Sequence, residues 1–434
     1  MSYENFVAGF QLSEDGRTLI ATAEMNSSEW GVNEESDPVF RYHEKEGAVK
    51  VFRLSADRST WDLVKTFEGQ ERDGRLGYAN ALSADGNTVA FTDEFMSSST
   101  GKKGIVHVWR YDGASDAWTE LGSGFRSEPA QNNDFFGRKI SMSADGNTVA
   151  VLGKMWDNRS GEVTVWKYDA ATNSWAQKGG TLNQGPSKMW LGIALSLSAN
   201  GGRILLGNRG QDGGGPNGYA RVYQYDGIDG DNDNIDGWTQ LGSDIYPPVA
   251  EWDLRYSENV AMSADGTKIV IGAPISNKFY TYQLSEQSQW ELTAKVTRPS
   301  EGVFFLSMSN GGNRIMAAGP PGWGLYDFDG NIIQGGSLNT RNGVAISGDG
   351  RSVAITDHTQ YEGPVKGTDG RGVIYVYDLG DTCPADYGSM GALASVGEFC
   401  TSYYDGWPPN VYFLLVSILC FSFPFAFSCP SPPL

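Results

Sequence analysis

The residues best suited to bind a metal ion lie in one acidic run, residues 226–237. The carboxylates in question are Asp229, Asp231, Asp233 and Asp236. Oxygen ligands at alternating positions of a loop suit a hard cation such as Ca²⁺. The run departs from an EF-hand, since Asn234 stands where the turning glycine belongs and no glutamate occupies the twelfth position. We predict a Ca²⁺ site at these four aspartates; the alternative is a solvated acidic loop between two strands.

Aromatic side chains supply the second kind of candidate. The chain has 13 tryptophans, and most recur at fixed places in a repeat, which favours packing between repeats. Trp156 and Trp190 fall in or near loops instead, so we predict them as ligand-binding residues. A large aromatic ring there can anchor a protein or stack on a glycan.

Signals for catalysis are sparse. The three histidines, His43, His107 and His358, are far apart and none has a metal-binding spacing. Neither a G-x-S-x-G elbow nor a phosphate-binding G-x-x-x-x-G-K-[ST] loop occurs. We therefore name no catalytic residue and favour a protein that is not an enzyme.

A short phrase, ending in Ser-Ala-Asp-Gly in its commonest form, recurs seven times. Its serines are Ser13, Ser83, Ser143, Ser198, Ser263, Ser309 and Ser347. Successive copies are 38 to 70 residues apart, so the unit varies in length while the phrase persists. Repeats of this size that contain several strands are typical of β-propeller blades.

Each repeat carries the signals of four strands. The first leads into the Asp-Gly turn, a strong hairpin signal, and the second is an apolar run such as 148–152. The third strand alternates between apolar and polar residues, as in 163–168. The fourth begins with a tryptophan in five repeats: Trp61, Trp118, Trp175, Trp238 and Trp290. Residues 331–334 take that place in the sixth repeat, and the seventh ends after its third strand.

The repeated phrase resembles the WD40-like and TolB-type propeller repeat. The order Phe136-Gly137, the Ser143 phrase and then 161–165 is similar to the FG-GAP repeat of integrin-α-type propellers. The resemblance covers about residues 5–380 and implies the fold without an activity. FG-GAP calcium loops carry several carboxylates, whereas the turns here keep one, such as Asp85, so calcium in every blade is not expected.

Composition narrows the functional classes. The 434 residues are 40% hydrophobic, which is enough to form a core. Asp and Glu number 52 against 33 Lys and Arg, a formal net charge of -19. Such an acidic surface repels phosphate backbones, so we exclude nucleic-acid partners.

The C-terminal region differs from the repeats. It holds all four cysteines, Cys383, Cys400, Cys420 and Cys429. Cys383 and Cys400 are equally compatible with a disulfide and with free thiols. The stretch from Val411 to Phe427 is uncharged and just long enough for a membrane span, although Pro424 and two serines interrupt it. It also faintly resembles a lipid-anchor signal, and the alternative is a tail outside any membrane.

These observations predict an all-β chain: a seven-bladed β-propeller of four-stranded blades over residues 1–382, a linker over 383–410 and a short hydrophobic tail over 411–434. We expect a monomeric, non-catalytic binding platform that recognises a protein or glycan through loops on one face. The tail would place it at a membrane or on the cell surface. The alternatives are a propeller enzyme, such as a glycan-active hydrolase, or a cytoplasmic scaffold.

Overall fold

The fold is an all-β, seven-bladed propeller, as the repeats predict. The structure is a computed structural model, and the description below covers these residues: 9–23, 29–32, 38–41, 47–69, 76–98, 101–126, 136–153, 161–182, 190–209, 218–228, 236–248, 255–298, 305–319, 322–336, 343–357, 373–379, 401–402 and 415–416. Six blades are antiparallel sheets of four strands, and the described part of the seventh has three.

The strands follow the repeats along the chain. Blade 1 contains β1 (Gly9–Leu12), β2 (Thr18–Ala23), β5 (Ala48–Leu54) and β6 (Trp61–Glu68), with a hairpin of β3 (Glu29–Val32) and β4 (Pro38–Arg41) between its second and third strands. Blade 2 contains β7 (Leu76–Leu82), β8 (Thr88–Ser98), β9 (Gly101–Asp112) and β10 (Ala117–Glu120). Blade 3 contains β11 (Lys139–Met142), β12 (Thr148–Gly153), β13 (Glu162–Asp169) and β14 (Ser174–Gln177). Blade 4 contains β15 (Trp190–Leu197), β16 (Arg203–Arg209), β17 (Tyr219–Tyr225) and β18 (Trp238–Gln240).

The remaining blades have the same order. Blade 5 contains β19 (Val260–Met262), β20 (Lys268–Ala273), β21 (Lys278–Leu284) and β22 (Trp290–Thr297). Blade 6 contains β23 (Phe305–Met308), β24 (Arg314–Gly319), β25 (Gly322–Asp327) and β26 (Ile332–Gly336). Blade 7 contains β27 (Val344–Ile346), β28 (Ser352–Asp357) and β29 (Val373–Asp378). A separate two-stranded sheet joins β30 (Thr401–Ser402) to β31 (Leu415–Val416).

The repeated phrase forms the turn between the first and second strands. In blade 3, Ser143 Oγ donates to Asp145 Oδ1 and accepts from the Thr148 amide at 2.9 Å. Asp145 Oδ1 also accepts from the Asn147 amide at 2.9 Å. Gly146 has φ +68, and a Cβ there would lie 2.7 Å from Thr88 Cβ of blade 2. Glycine is needed here both for the left-handed backbone and for the close approach of the neighbouring blade.

The seven turns are joined to one another by backbone hydrogen bonds, and we call this set the turn ring. Its bonds run from Glu14 N to Ala84 O, Ala84 N to Ala144 O, Ala144 N to Ala199 O, Ala199 N to Ala264 O, Ala264 N to Asn310 O, Asn310 N to Gly348 O and Asp349 N to Glu14 O, at 2.8 to 3.0 Å. The last bond links blade 7 to blade 1, so the ring is closed.

Apolar side chains fill each space between neighbouring blades. One cluster lies at each of the seven interfaces, including that between blades 7 and 1, where Phe10, Leu19 and Phe52 pack with Ala354 and Ile374. The outer-strand tryptophans also join blades, as predicted: Trp175 Nε1 donates to Leu121 O at 2.8 Å and Trp238 Nε1 to Lys178 O at 3.0 Å.

The inner strands are connected through side chains as well. Two residues before the turn serine, a side-chain oxygen accepts the amide of the next inner strand in four of the seven interfaces. The pairs are Gln11 with Leu82, Ser141 with Leu197, Ser196 with Met262, and Ser307 with Ile346, at 3.0 to 3.2 Å. Together with the turn ring, these bonds set a common register for the strands around the central channel.

We predict that Ser143→Ala destabilises the propeller by about 1–3 kcal/mol, because it removes the buried acceptor of the Thr148 amide and a donor to Asp145. Urea unfolding followed by tryptophan fluorescence measures this. The control is Ser55→Ala, since Ser55 makes the same kind of contacts to Asp57 and Thr60 in an outer, exposed turn. An equal loss of unfolding free energy in the two variants would contradict a special role of the inner turn.

Candidate functional site at the channel mouth

The inner strands β1, β7, β11, β15, β19, β23 and β27 are neighbours around the channel. Five residues before the turn serine, at the end of these strands away from the turn ring, blades 2, 3 and 5 carry Tyr78, Arg138 and Glu258. We call these three residues the mouth ring. All three are half-buried. Three repeats thus contribute a phenol, a guanidinium and a carboxylate at the same offset from the turn serine.

The backbone is irregular at each of these positions. The register between β7 and β8 shifts between Leu76 and Asn80. In blade 3 the amides of Gly137 and Arg138 both donate to Leu152 O, at 2.9 and 3.2 Å. Irregularities of this kind redirect side chains and are over-represented at barrel rims and beside active sites.

Blade 5 departs from a regular strand in the same region. Ser257 N donates to Gly272 O, and Gly272 N donates to Asn259 O, both at 2.8 Å, although β19 begins only at Val260. Ser257 Oγ also donates to Asn208 O and Tyr219 O of blade 4, at 3.1 and 2.9 Å. These bonds hold the segment that carries Glu258 against the neighbouring blade.

The mouth ring has further polar neighbours in sequence. Lys139 follows Arg138 and is exposed, and Asn259 follows Glu258 and is half-buried. Arg255 Nε lies 3.7 Å from Glu258 Oε2. A carboxylate can act as a general base, and cationic or amide donors can stabilise an oxyanion. The set therefore contains the groups needed to activate water and to stabilise negative charge on a carbonyl oxygen.

Lys50 is a buried titratable residue that the sequence did not single out. It lies on β5 between Val49 and Val51, which face blade 2, so its side chain is on the face toward blade 7. It is only 5% exposed. Burial lowers the pKa of Lys50 to about 7, although the Glu68 charge acts in the opposite direction.

A second cluster, centred on Arg221 of β17, stabilises the edge of blade 4. Arg221 donates to both oxygens of Asp244, at 2.6 and 2.7 Å, and to Tyr223 OH at 3.2 Å. Burial lowers the pKa of Arg221, but the hydrogen bonds to Asp244 and Tyr223 outweigh burial and raise it. The bidentate pair ties β17 to the segment after β18, so we assign it a structural role.

Of the six residues predicted from the sequence, the described part of the chain contains only Trp190 and Asp236. Trp156 lies outside the described residues, as do Asp229, Asp231 and Asp233. Trp190 begins β15 opposite Arg209, and its side chain is not described. Asp236 lies in the turn before β18, where its carbonyl accepts from the Gly180 amide at 2.8 Å.

In the described ranges, no group of three or more His, Cys, Asp or Glu residues is arranged to hold a metal ion. His107 lies on β9 with its Nδ1 2.7 Å from Glu120 Oε1. The Ca²⁺ site at the four aspartates stays a prediction, because three of them are not described. Likewise, none of the described residues forms a helix long and apolar enough to cross a membrane.

Comparison with known proteins gives a structural likeness without a sequence family. No family model matches the chain, and no curated protein matches it. The periplasmic gluconolactonase of Pseudomonas aeruginosa is similar in structure, with a TM-score of 0.51 and 14% identity over 78% of this chain and 86% of that chain. A candidate 6-phosphogluconolactonase from Bacteroides uniformis has a TM-score of 0.48 and 13% identity over 76% and 85%. At sequence identities this low, the structural similarity shows a shared fold and nothing more.

The likeness corrects our functional prediction. We expected a non-catalytic binding platform as the first choice, and this was wrong, because the similar structure is named as a gluconolactonase, which fits the stated alternative of a propeller enzyme better. The sequence misled because propeller sites are assembled from single residues of several blades, so no contiguous motif marks them.

We predict that Lys50→Met raises the free energy of unfolding at neutral pH. The folded state holds the pKa near 7 against 10.5 for an ordinary lysine, so the unfolded chain binds the proton more tightly. The free-energy cost of burying the Lys50 ammonium is fully present below about pH 7 and disappears as the pH rises toward 10.5. Urea unfolding at pH 6 and pH 10 is the measurement, and we expect a gain of about 2–5 kcal/mol at pH 6 that shrinks at pH 10.

Lys167→Met is the matched control, since Lys167 is exposed on β13 and its replacement is expected to be nearly neutral at both pH values. A Lys50→Met gain that is the same at pH 6 and pH 10 would show that packing, and not the buried ammonium, sets the effect.

Proposed function

We propose that this protein is a hydrolase that opens sugar-derived lactones at the channel mouth. The observation that carries the proposal is that Tyr78, Arg138 and Glu258 share one offset from the turn serine in three repeats whose inner strands surround one channel. The shared fold with a periplasmic gluconolactonase supports the choice of substrate class. A lactone ester is also a substrate that these groups can hydrolyse without a cofactor.

The chemistry assigns a role to each member of the site. Glu258 accepts a proton from a water molecule, whose oxygen attacks the lactone carbonyl carbon. Arg138 and Lys139 stabilise the negative charge that develops on the carbonyl oxygen. The ring C–O bond then breaks, and the leaving alkoxide takes the proton from Glu258. The product is the open hydroxy acid, which loses its carboxyl proton to solvent.

The remaining groups at the mouth suit recognition of a polyhydroxylated ring. Tyr78 offers a phenol that donates and accepts hydrogen bonds, and Asn259 offers both functions through its amide. Arg138, Lys139 and Arg255 supply three cations near the Glu258 carboxylate, on a chain whose net charge is -19. A hydroxy-acid product carries one negative charge, so these cations bind it as it forms.

The test is hydrolysis of gluconolactone, followed as acid release with a pH indicator and corrected for the spontaneous rate. We expect acceleration by the wild-type protein. We expect Glu258→Gln to lower kcat by about 10²- to 10⁴-fold, since an amide cannot take the water proton.

The matched control is Glu291→Gln, because Glu291 is exposed on β22, the outer strand of the same blade. It is expected to keep full activity, and the melting temperatures of both variants report folding. A wild-type rate no faster than the spontaneous rate, or full activity in Glu258→Gln, would reject the proposal.

A further inference from the structure

Blade 7 differs from the others at its outer side. In blades 1 to 6 a fourth strand pairs with the third, as β14 does with β13. The described residues of blade 7 form three strands, and β29 is the third. The next described residues along the chain after Leu379 are β30 and β31, and β31 lies against β29.

The inner part of blade 7 has the same register as a complete blade. Ser352 faces Asp378 as Thr148 faces Lys167 in blade 3. Leu379 N donates to Arg351 O as Tyr168 N donates to Asn147 O. Asp378 and Leu379 therefore correspond to Lys167 and Tyr168, which in blade 3 pair with Ala176 and Trp175 of the outer strand.

The side chains of β29 and of Leu379 directly after it are those of a covered strand. Ile374, Tyr375, Val376 and Leu379 are all buried. Ile374 and Val376 pack toward blade 1, and Leu379 packs toward blade 6. In blades 1 to 6 a fourth strand covers the outer edge of the third, and sheet proteins generally cover such edges.

We propose that the C-terminal segment after Leu379 covers the outer side of blade 7, with the apolar stretch around β31 packed on β29. The position of β31 beside β29 and the fourth strand of the other six blades carry this inference. The apolar residues from Val411 to Phe427 then contribute to the propeller instead of to a membrane span. The inference does not depend on the proposed lactone hydrolysis.

Cysteine cross-linking in the full chain tests the proposal, because residues 1–382 contain no cysteine. All four natural cysteines are replaced by serine, and pairs are then introduced: Val416→Cys with Tyr377→Cys, and Val416→Cys with Asp378→Cys. A disulfide requires Cα atoms about 4.4–6.8 Å apart. Under mild oxidation we expect at least one pair to form an intramolecular disulfide, identified by mass spectrometry, in most of the molecules.

The control pair is Val416→Cys with Lys167→Cys, since Lys167 is the counterpart of Asp378 in a complete blade. We expect at least tenfold less cross-linking there. Equal yields at the blade 7 and blade 3 positions would overturn the proposal, as would flotation of the full chain with phosphatidylcholine vesicles accompanied by loss of the disulfide.

Thermal unfolding without detergent gives a second, independent test. Leu415→Asp in the otherwise natural chain is expected to lower the melting temperature by at least about 2–4 °C, because the substitution places a charge in the segment proposed to pack on β29. Leu434→Asp, at the last residue, is the control and is expected to leave it unchanged. An unchanged melting temperature in Leu415→Asp would contradict packing of this segment on blade 7.

Discussion

A closed circle of backbone hydrogen bonds is the constraint on which this propeller depends. Each turn donates an amide to the turn of the next blade, and Asp349 N returns to Glu14 O. Backbone groups make these bonds, so the residue that follows the turn serine can be Ala144, Glu14 or Asn310 without loss of the contact. The circle therefore tolerates sequence divergence while it holds seven inner strands in one register.

That register is the frame in which the mouth ring lies. Tyr78, Arg138 and Glu258 belong to three separate repeats and share one offset from the turn serine, at the point where the regular strand pairing breaks down. Arginines on the third and second strands add side-chain hydrogen bonds between neighbouring turns. Arg110 donates to Asp145 O and Asn147 Oδ1 of the next turn, and Arg314 donates to Gly350 O. Units of very different length can thus share one inner geometry, since the circle is formed by the short turns alone.

The sequence predicted what is encoded locally. Asp145 and Gly146 form a turn through contacts within six residues of the chain, and the alternation of the third strand follows from its burial pattern. Trp175 could be assigned to packing because it recurs at one place in the repeat. The members of the mouth ring share an offset from the turn serine, but a single sequence does not mark that offset as special, because the irregular pairing at Gly137 and Arg138 has no local signal. Lys50 was missed because a lysine in an alternating strand is normally solvent-exposed.

Among the described residues, the interface between blades 1 and 7 is the one that no connection from an outer strand to the next inner strand crosses. It is held by the Glu14–Asp349 backbone bond, the apolar cluster around Phe10 and Ile374, and the Arg58–Asp378 ion pair at 3.0 Å. These contacts join the first described blade of the chain to the last, so they close a ring from a linear chain by noncovalent contacts alone.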